Sequence, residues 1–315
     1  MTRDELKTKV QFVIDELADK TIYVFVTTDN SGLQLFNIVE RDLNDLAQMF
    51  AQSIKTVFID KEYTIENYST SLKRDEVMYL YDLDNERTHE MKMMAEAVQI
   101  QNPEYFDNGK TRIEKINGIY IVMKDANGQS VITLFKNITN VDKAYAASSF
   151  LIFGKEDKQF ERQKENMLRI TPTFHMIYVD DKILLTDLDK LEKPLHLDAI
   201  LQKETERDVK SLSKGVISND EKLINACRKP KNCKKLRHAL NMSKVVKKLA
   251  EGSLDVSKLI EFVKNKTSLK FHYKENMFDL RSEAEAVRFI KLMDDDYLLS
   301  ELTGEKYDSD VKDLM

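Results

Sequence analysis

The chain has 315 residues, room for two domains of ordinary size, and an apolar fraction of 42% that supports real cores. Its 8 glycines and 4 prolines argue against disorder, collagen-like repeats and long flexible linkers. A net charge of −5 does not advertise a polyanion as partner of the molecule as a whole.

Residues 3–17 carry apolar side chains at helical spacing (Leu6, Val10, Val13, Ile14, Leu17), which predicts an amphipathic helix. TIYVFV, the turn signal at residues 29–32 and LQLFNI predict a hairpin. A second amphipathic helix is expected over 41–57, with Leu43, Leu46, Phe50 and Ile54 on one face. VMYLYDL reads as a strand, and 86–98 as a methionine-rich helix whose Met93 and Met94 belong to the core.

The middle of the chain is strand-rich. Asn127-Gly128 between two β-prone runs is the strongest short hairpin signal available. SFLIFG and FHMIYVDDKILLTDL follow, the second with a polar turn at Asp180-Asp181. From 187 to 212 the pattern is helical, and a string of helices continues to 266. A strand or hairpin over 271–280, a helix over 282–293 capped by Ser282 with Glu285, and a last strand YLLSEL close the chain. The expected class is α+β: residues 1–200 form a strand-rich α+β domain and residues 201–315 a mainly helical, basic one, closed by a short strand–helix–strand element.

Charge is spread unevenly. Between Lys203 and Lys274 stand 19 Lys and Arg against 8 Asp and Glu, a surplus of 11, which leaves −16 for the remainder of a chain at −5. The densest stretch holds nine basic residues and no acid: Arg228, Lys229, Lys231, Lys234, Lys235, Arg237, Lys244, Lys247 and Lys248. Leu236, Leu240, Val246 and Leu249 fall near helical spacing and face a core, so Lys234, Lys235, Arg237, His238 and Lys244 are expected to point outward. A like-charged surface is relieved when phosphates replace condensed counterions, which suggests DNA. An acidic protein partner would relieve the same surface, making the chain an interaction scaffold. The glycine spacing of a helix-turn-helix is absent, so phosphate contacts with little base readout are expected. Lys258, Lys264, Lys266 and Lys270 are the second candidate footprint.

Catalytic signatures are missing. There is no glycine-rich phosphate loop, G-x-S-x-G, H-E-x-x-H or C-x-x-C. The five histidines (His89, His175, His196, His238, His272) are scattered. Asp180, Asp181 and Lys182 resemble the D-x-K step of metal-dependent nucleases, in which carboxylates hold Mg²⁺ and the lysine stabilises hydroxide. The upstream acid would be Glu156 or Asp157, in a stretch that reads as a loop opening a helix. A hairpin turn is the simpler reading. Asp294, Asp295 and Asp296 read as a solvated helix end. No catalytic residue, metal or cofactor is expected.

Cys227 and Cys233 are the only cysteines. They make no disulfide framework or zinc-knuckle spacing and are expected as reduced cytosolic thiols. The first 20 residues mix acids and bases without a signal peptide's apolar core, and no apolar run approaches the ~18 residues that span a bilayer.

Two segments, FHMIYVDDKILLTDLDKLEKPLHLDAIL and LRSEAEAVRFIKLMDDDYLLSELTGEKY, resemble the uncharacterised-domain family that includes the B-proteins of Kiwa-type bacterial anti-phage systems. The resemblance covers roughly residues 110–310, and the closing D-D-Y-L-x-S-x-L-T-G-x-x-Y is its specific part. It implies a DNA-binding protein that blocks phage replication or transcription beside a small multi-pass membrane protein, the Kiwa A-protein. No catalytic residue carries over. The expected partners are therefore DNA, that membrane protein and a second copy of the chain in a homodimer. The expected location is the cytoplasm, with recruitment to the inner face of the membrane.

Overall fold

The computed structural model describes residues 1–15, 21–28, 32–70, 76–107, 113–124, 130–144, 153–156, 159–162, 167–266, 269–294, 297–299 and 306–308. The chain divides into two compact units. The first comprises Met1–Ile65 with Asp75–Leu195, and the second Glu66–Arg74 with His196–Met315. The class is α+β.

The first unit is built on a nine-stranded mixed sheet. Its strands are β1 (Thr21–Thr28), β2 (Gln34–Leu35), β3 (Thr64–Asn67, which passes into the second unit after Ile65), β4 (Val77–Leu80), β5 (Glu104–Tyr105), β6 (Ile116–Lys124), β7 (Ser130–Asn137), β12 (Met176–Val179) and β13 (Lys182–Leu185). They lie in the order β3-β4-β13-β12-β7-β6-β1-β2-β5. Two separate two-stranded sheets accompany it: β8 (Lys143–Ala144) pairs with β11 (Met167–Leu168), and β9 (Phe153–Glu156) forms a hairpin with β10 (Gln159–Arg162).

Helices cover both faces of the sheet. Helix α1 (Arg3–Asp15) buries Leu6, Val10 and Val13, and α2 (Glu40–Lys55) buries Leu46, Phe50 and Ile54. These pack with Val24, Val26, Ile119, Ile121, Leu134 and Ile177, every second residue of the central strands. The opposite parity supplies Phe25, Tyr120 and Phe135, also buried. Helix α3 (His89–Gln99), with Met91, Met93, Met94 and Ala97 buried, packs against β6 and β7. A strand with both faces covered reads as a continuous apolar run, which is why GIYIVM does not alternate. Gly118 has no room for a side chain, since a Cβ there would lie 2.9 Å from Thr27 Oγ1 and 3.0 Å from Phe135.

The predicted hairpins form. β1 pairs antiparallel with β2, and β6 with β7, whose Asn127-Gly128 turn lies outside the described residues. β12 and β13 pair with Val179 opposite Lys182. Boundaries shift where local chemistry intervenes. α3 begins at His89 rather than 86, because the Thr88 side chain caps it by accepting the Met91 N–H. α2 runs on through a π-helical turn, Thr56–Asp60, that buries Phe58. The expected single helix over 187–212 is two, α4 (Leu188–Leu191) and α5 (Leu197–Leu212), with Pro194 between them. Glu156 is not in a helix-opening loop but pairs with Gln159 in the β9–β10 hairpin. Of SFLIFG, residues 149–152 lie outside the described residues, as does Leu17.

The second unit continues with β14 (Ile217–Asn219), α6 (Glu221–Ala226), α7 (Pro230–Met242), α8 (Lys244–Ala250), α9 (Val256–Lys266), β15 (His272–Lys274), β16 (Met277–Asp279), α10 (Glu283–Met293), β17 (Tyr297–Leu299) and β18 (Lys306–Asp308). Strand β14 is unforeseen; it pairs parallel to β16, and of the two readings of 271–280, strand or hairpin, β15 and β16 form the hairpin. Phe278 centres the core, with its ring 5.2 Å from Phe271 and 5.3 Å from Phe289. Helix α7 packs against both α5 and α10.

Candidate nucleic-acid interface

Helix α7 is wrapped by its neighbours, and five consecutive residues, Cys233 to Arg237, are buried. Lys234, Lys235 and Arg237 are therefore not on a solvent face: they are 7%, 8% and 6% exposed. This corrects the sequence expectation, and the physical reason lies far away in the chain. Residues 66–70 belong to the same unit as α7. The Lys234 ammonium sits 5.6 Å from the centre of the Tyr68 ring. Arg237 donates from Nε to the Ser69 carbonyl at 3.1 Å and from Nη1 to Asp208 Oδ2 at 2.7 Å. Local periodicity cannot register a contact that spans 168 residues.

The other six basic residues, Arg228, Lys229, Lys231, Lys244, Lys247 and Lys248, are exposed. They form two groups at opposite ends of α7, whose 13 residues span about 20 Å. Arg228, Lys229 and Lys231 surround the helix entry. Pro230 occupies the first turn, no acid stands there, and no side chain caps the free N–H groups. The positive end of the helix dipole thus adds to the three cations, with no acid in the helix's own first turn to offset it. Lys229 is ion-paired with Glu283.

The second group is set by a break in the chain. Helix α7 stops at Met242, and the Ser243 side chain accepts the Val245 N–H at 3.1 Å and starts α8. Lys244, Lys247 and Lys248 recur at i, i+3 and i+4, which puts them on one face, while Val246 is buried. Gly252, at φ +70°, turns the chain out of α8. Farther on, Lys258, Lys264 and Lys270 are exposed, with Lys264 lying 4.6 Å from the Tyr273 ring centre; the Lys266 side chain lies outside the described residues.

Asp294 is not solvated as expected. It is 7% exposed and bonded to His238 Nδ1 at 3.0 Å, because α10 docks on α7 and turns its C-terminal residue inward. His238 is correspondingly half-buried rather than a free outward group. Asp295 and Asp296 lie outside the described residues. Glu285 exceeds its capping duty: nearly fully buried, it also accepts the His272 backbone N–H and faces His272 Nδ1 at 2.7 Å.

Asp180 and Asp181 are the two central residues of the β12–β13 turn, with φ of +50° and +59°. Two left-handed residues joining paired strands match the twist of a tight hairpin. Asp180 is ion-paired with Lys9, and Asp181 accepts from Arg87 and Tyr178 at 3.2 Å each. Among the described residues no cluster of three or more His, Cys, Asp or Glu side chains is arranged to hold a metal ion; Asp157 lies outside them. Cys227 and Cys233 are buried and unbridged, and burial pushes the Cys227 thiol up to about 12. Among the described residues no helix is long and apolar enough to cross a membrane.

These features define a two-unit α+β protein with a helical unit that is basic at its surface. Residues 113–303 match the family model described as Kiwa protein KwaB-like, and the chain belongs to that family. It is a component of a Kiwa defence system. It is similar to the Kiwa protein KwaB of Escherichia coli O55:H7 (strain RM12579 / EPEC), at 23% identity over 321 aligned residues and 99% of each chain. No solved structure matches.

Proposed function

We propose that the chain is the non-catalytic DNA-binding effector of its Kiwa system. It grips the phosphate backbone with little sequence preference and blocks phage replication or transcription. The observation that carries this reading is the six exposed cations at the two ends of α7. The two groups stand about one helix length apart, which suits contacts to separate phosphates, and the glycine spacing of a base-reading helix-turn-helix is absent from the sequence. Phosphate oxygens suit both residue types, Arg as a fork and Lys as a point charge.

The second copy of a homodimer would double the footprint, and a multi-pass membrane partner, the Kiwa A-protein, would hold the effector at the membrane. The competing reading, an interaction scaffold, draws on the same cations and replaces phosphates with acidic side chains. A mobility-shift assay on a short duplex with and without Mg²⁺, scored for binding and for cleavage, tests the proposal. Retarded, uncut DNA under both conditions is expected. Cleavage that needs Mg²⁺ would favour the nuclease alternative at Asp180 and Lys182, and no retardation at low salt would favour the scaffold.

A further inference from the structure

The first unit contains a cleft of about 700 Å³, within the range of small-molecule sites. Its floor is aromatic and apolar, with Tyr63, Phe174, Val57 and Met78. Phe58 braces that floor from behind, stacked on Phe174 at 5.9 Å and edge-on to Tyr63 at 6.1 Å. One wall is the π-helical turn after α2, a geometry concentrated at functional sites.

Deeper polar chemistry comes from His175, only 7% exposed. Its Nδ1 accepts the Asn137 backbone N–H at 3.1 Å, so the ring carries its proton on Nε2 and offers it as a donor. Burial lowers its pKa and keeps the ring neutral at pH 7. Lys61 and Lys190 line the cleft, as do the carboxylates of Glu76 and Asp187. Glu62, the remaining acid, is neutralised by Arg3.

Two lysines stand against two carboxylates, of which Asp187 already caps α4 with Oδ1 by accepting the Lys190 N–H at 3.2 Å and keeps Oδ2 for a ligand; this balance disfavours a simple anion and a simple cation alike. It suits a ligand that is anionic at one end, offers N–H and O–H donors at the other, and has a flat ring to lie on an aromatic floor. We propose that this cleft binds a nucleoside monophosphate, its phosphate taken by Lys61, Lys190 and the His175 Nε2–H, and its base and sugar donors by Glu76 and Asp187. The site is separate from the cations around α7 and does not depend on the DNA reading.

The test is calorimetric titration of the full chain with AMP, GMP, CMP and UMP, alongside inorganic phosphate and the matching nucleosides. At least one nucleotide should bind about tenfold more tightly than phosphate or its own nucleoside. In protein labelled with ¹⁵N only at histidine, that nucleotide should move the ring signals of His175 and leave those of His238 and His272 in place. This separates the cleft from the basic surface of the second unit. The double variant Lys61→Gln/Lys190→Gln alters two exposed side chains. It should melt with the wild type and bind about tenfold more weakly. Four results would overturn the proposal: no binding of any nucleotide at millimolar concentration, phosphate binding as tightly as the nucleotides, an unmoved His175 signal, or undiminished binding by the double variant.

Discussion

Replacing Arg237 with Met tests whether this residue is structural, as its burial indicates, or a phosphate contact, as its place in the basic run suggests. Met keeps the apolar stem and removes the guanidinium. Two bonds disappear: the 2.7 Å charge-assisted bond to Asp208 and the 3.1 Å bond to the Ser69 carbonyl. Ser69 is 3% exposed, so the bond lost at its carbonyl is not replaced by one to bulk water, at a cost of about 1–3 kcal/mol. The Asp208 side chain is 42% exposed and regains water, which holds its share below that of a fully buried charge. The total is about 3 kcal/mol, or roughly 10 °C in the melting of a unit of this size. Burial already holds the Asp208 carboxyl above its ordinary range, even with Arg237 alongside. Losing Arg237 raises it further, so the variant's deficit should be fullest at neutral pH and narrow as falling pH protonates Asp208. Calorimetry against Lys247→Met, expected within about 0.5 kcal/mol of wild type, gives the comparison. If Arg237→Met melts with the wild type and loses DNA affinity, the guanidinium faces solvent and the packing of α7 described above is wrong.

Three further outcomes are expected. Burial alone would raise the Glu285 carboxyl, but the bond from His272 and the backbone N–H groups of Arg281 and His272 outweigh it and hold it below the usual range. Its stabilisation is therefore complete above the ordinary glutamate value and lost as pH falls through the lower folded value; Glu285→Gln should cost about 2 kcal/mol at pH 7 and flatten the acid limb of a stability–pH curve. Purified protein should not cut DNA with Mg²⁺ or Mn²⁺, and Asp180→Ala should leave DNA binding unchanged; cutting that vanishes in this variant would reverse that expectation. Expressed alone the chain should fractionate away from membranes and move to them on co-expression with the membrane partner; carbonate-resistant pelleting of the chain alone would contradict this.

Elements with a strong local signal were legible in the sequence. The period of α1 and α2, the hairpin of β6 and β7, the Asp180-Asp181 turn and the Ser282 cap all rest on residues within a few positions of one another. The orientation of α7 was not legible. A helix packed on several sides has no polar face for periodicity to report, and the segment that covers Lys234 and Arg237 lies far upstream. The place of the division at Ser243 was not legible because Ser also occurs within helices, and only its bond to the Val245 N–H marks it as a cap. The cleft around His175 escaped notice because Lys61, Glu76, His175 and Lys190 are brought together by three strands and a helix end, with no common spacing in the chain.

The central claim is that the exposed cations around α7 hold phosphates, and the salt dependence of duplex binding tests it most directly. With Lys229 engaged by Glu283, five of the six remain for phosphates, which predicts a slope of log K on log salt near −4 to −5. Raising salt about fourfold should then weaken binding by roughly 500-fold. Changing Lys244, Lys247 and Lys248 to Gln removes three exposed charges while leaving Val246 buried. It should leave melting unchanged and bring the slope to about −2, so the same salt step costs only about tenfold. A folded triple variant that binds with the wild-type slope would contradict the account and move the footprint away from α8.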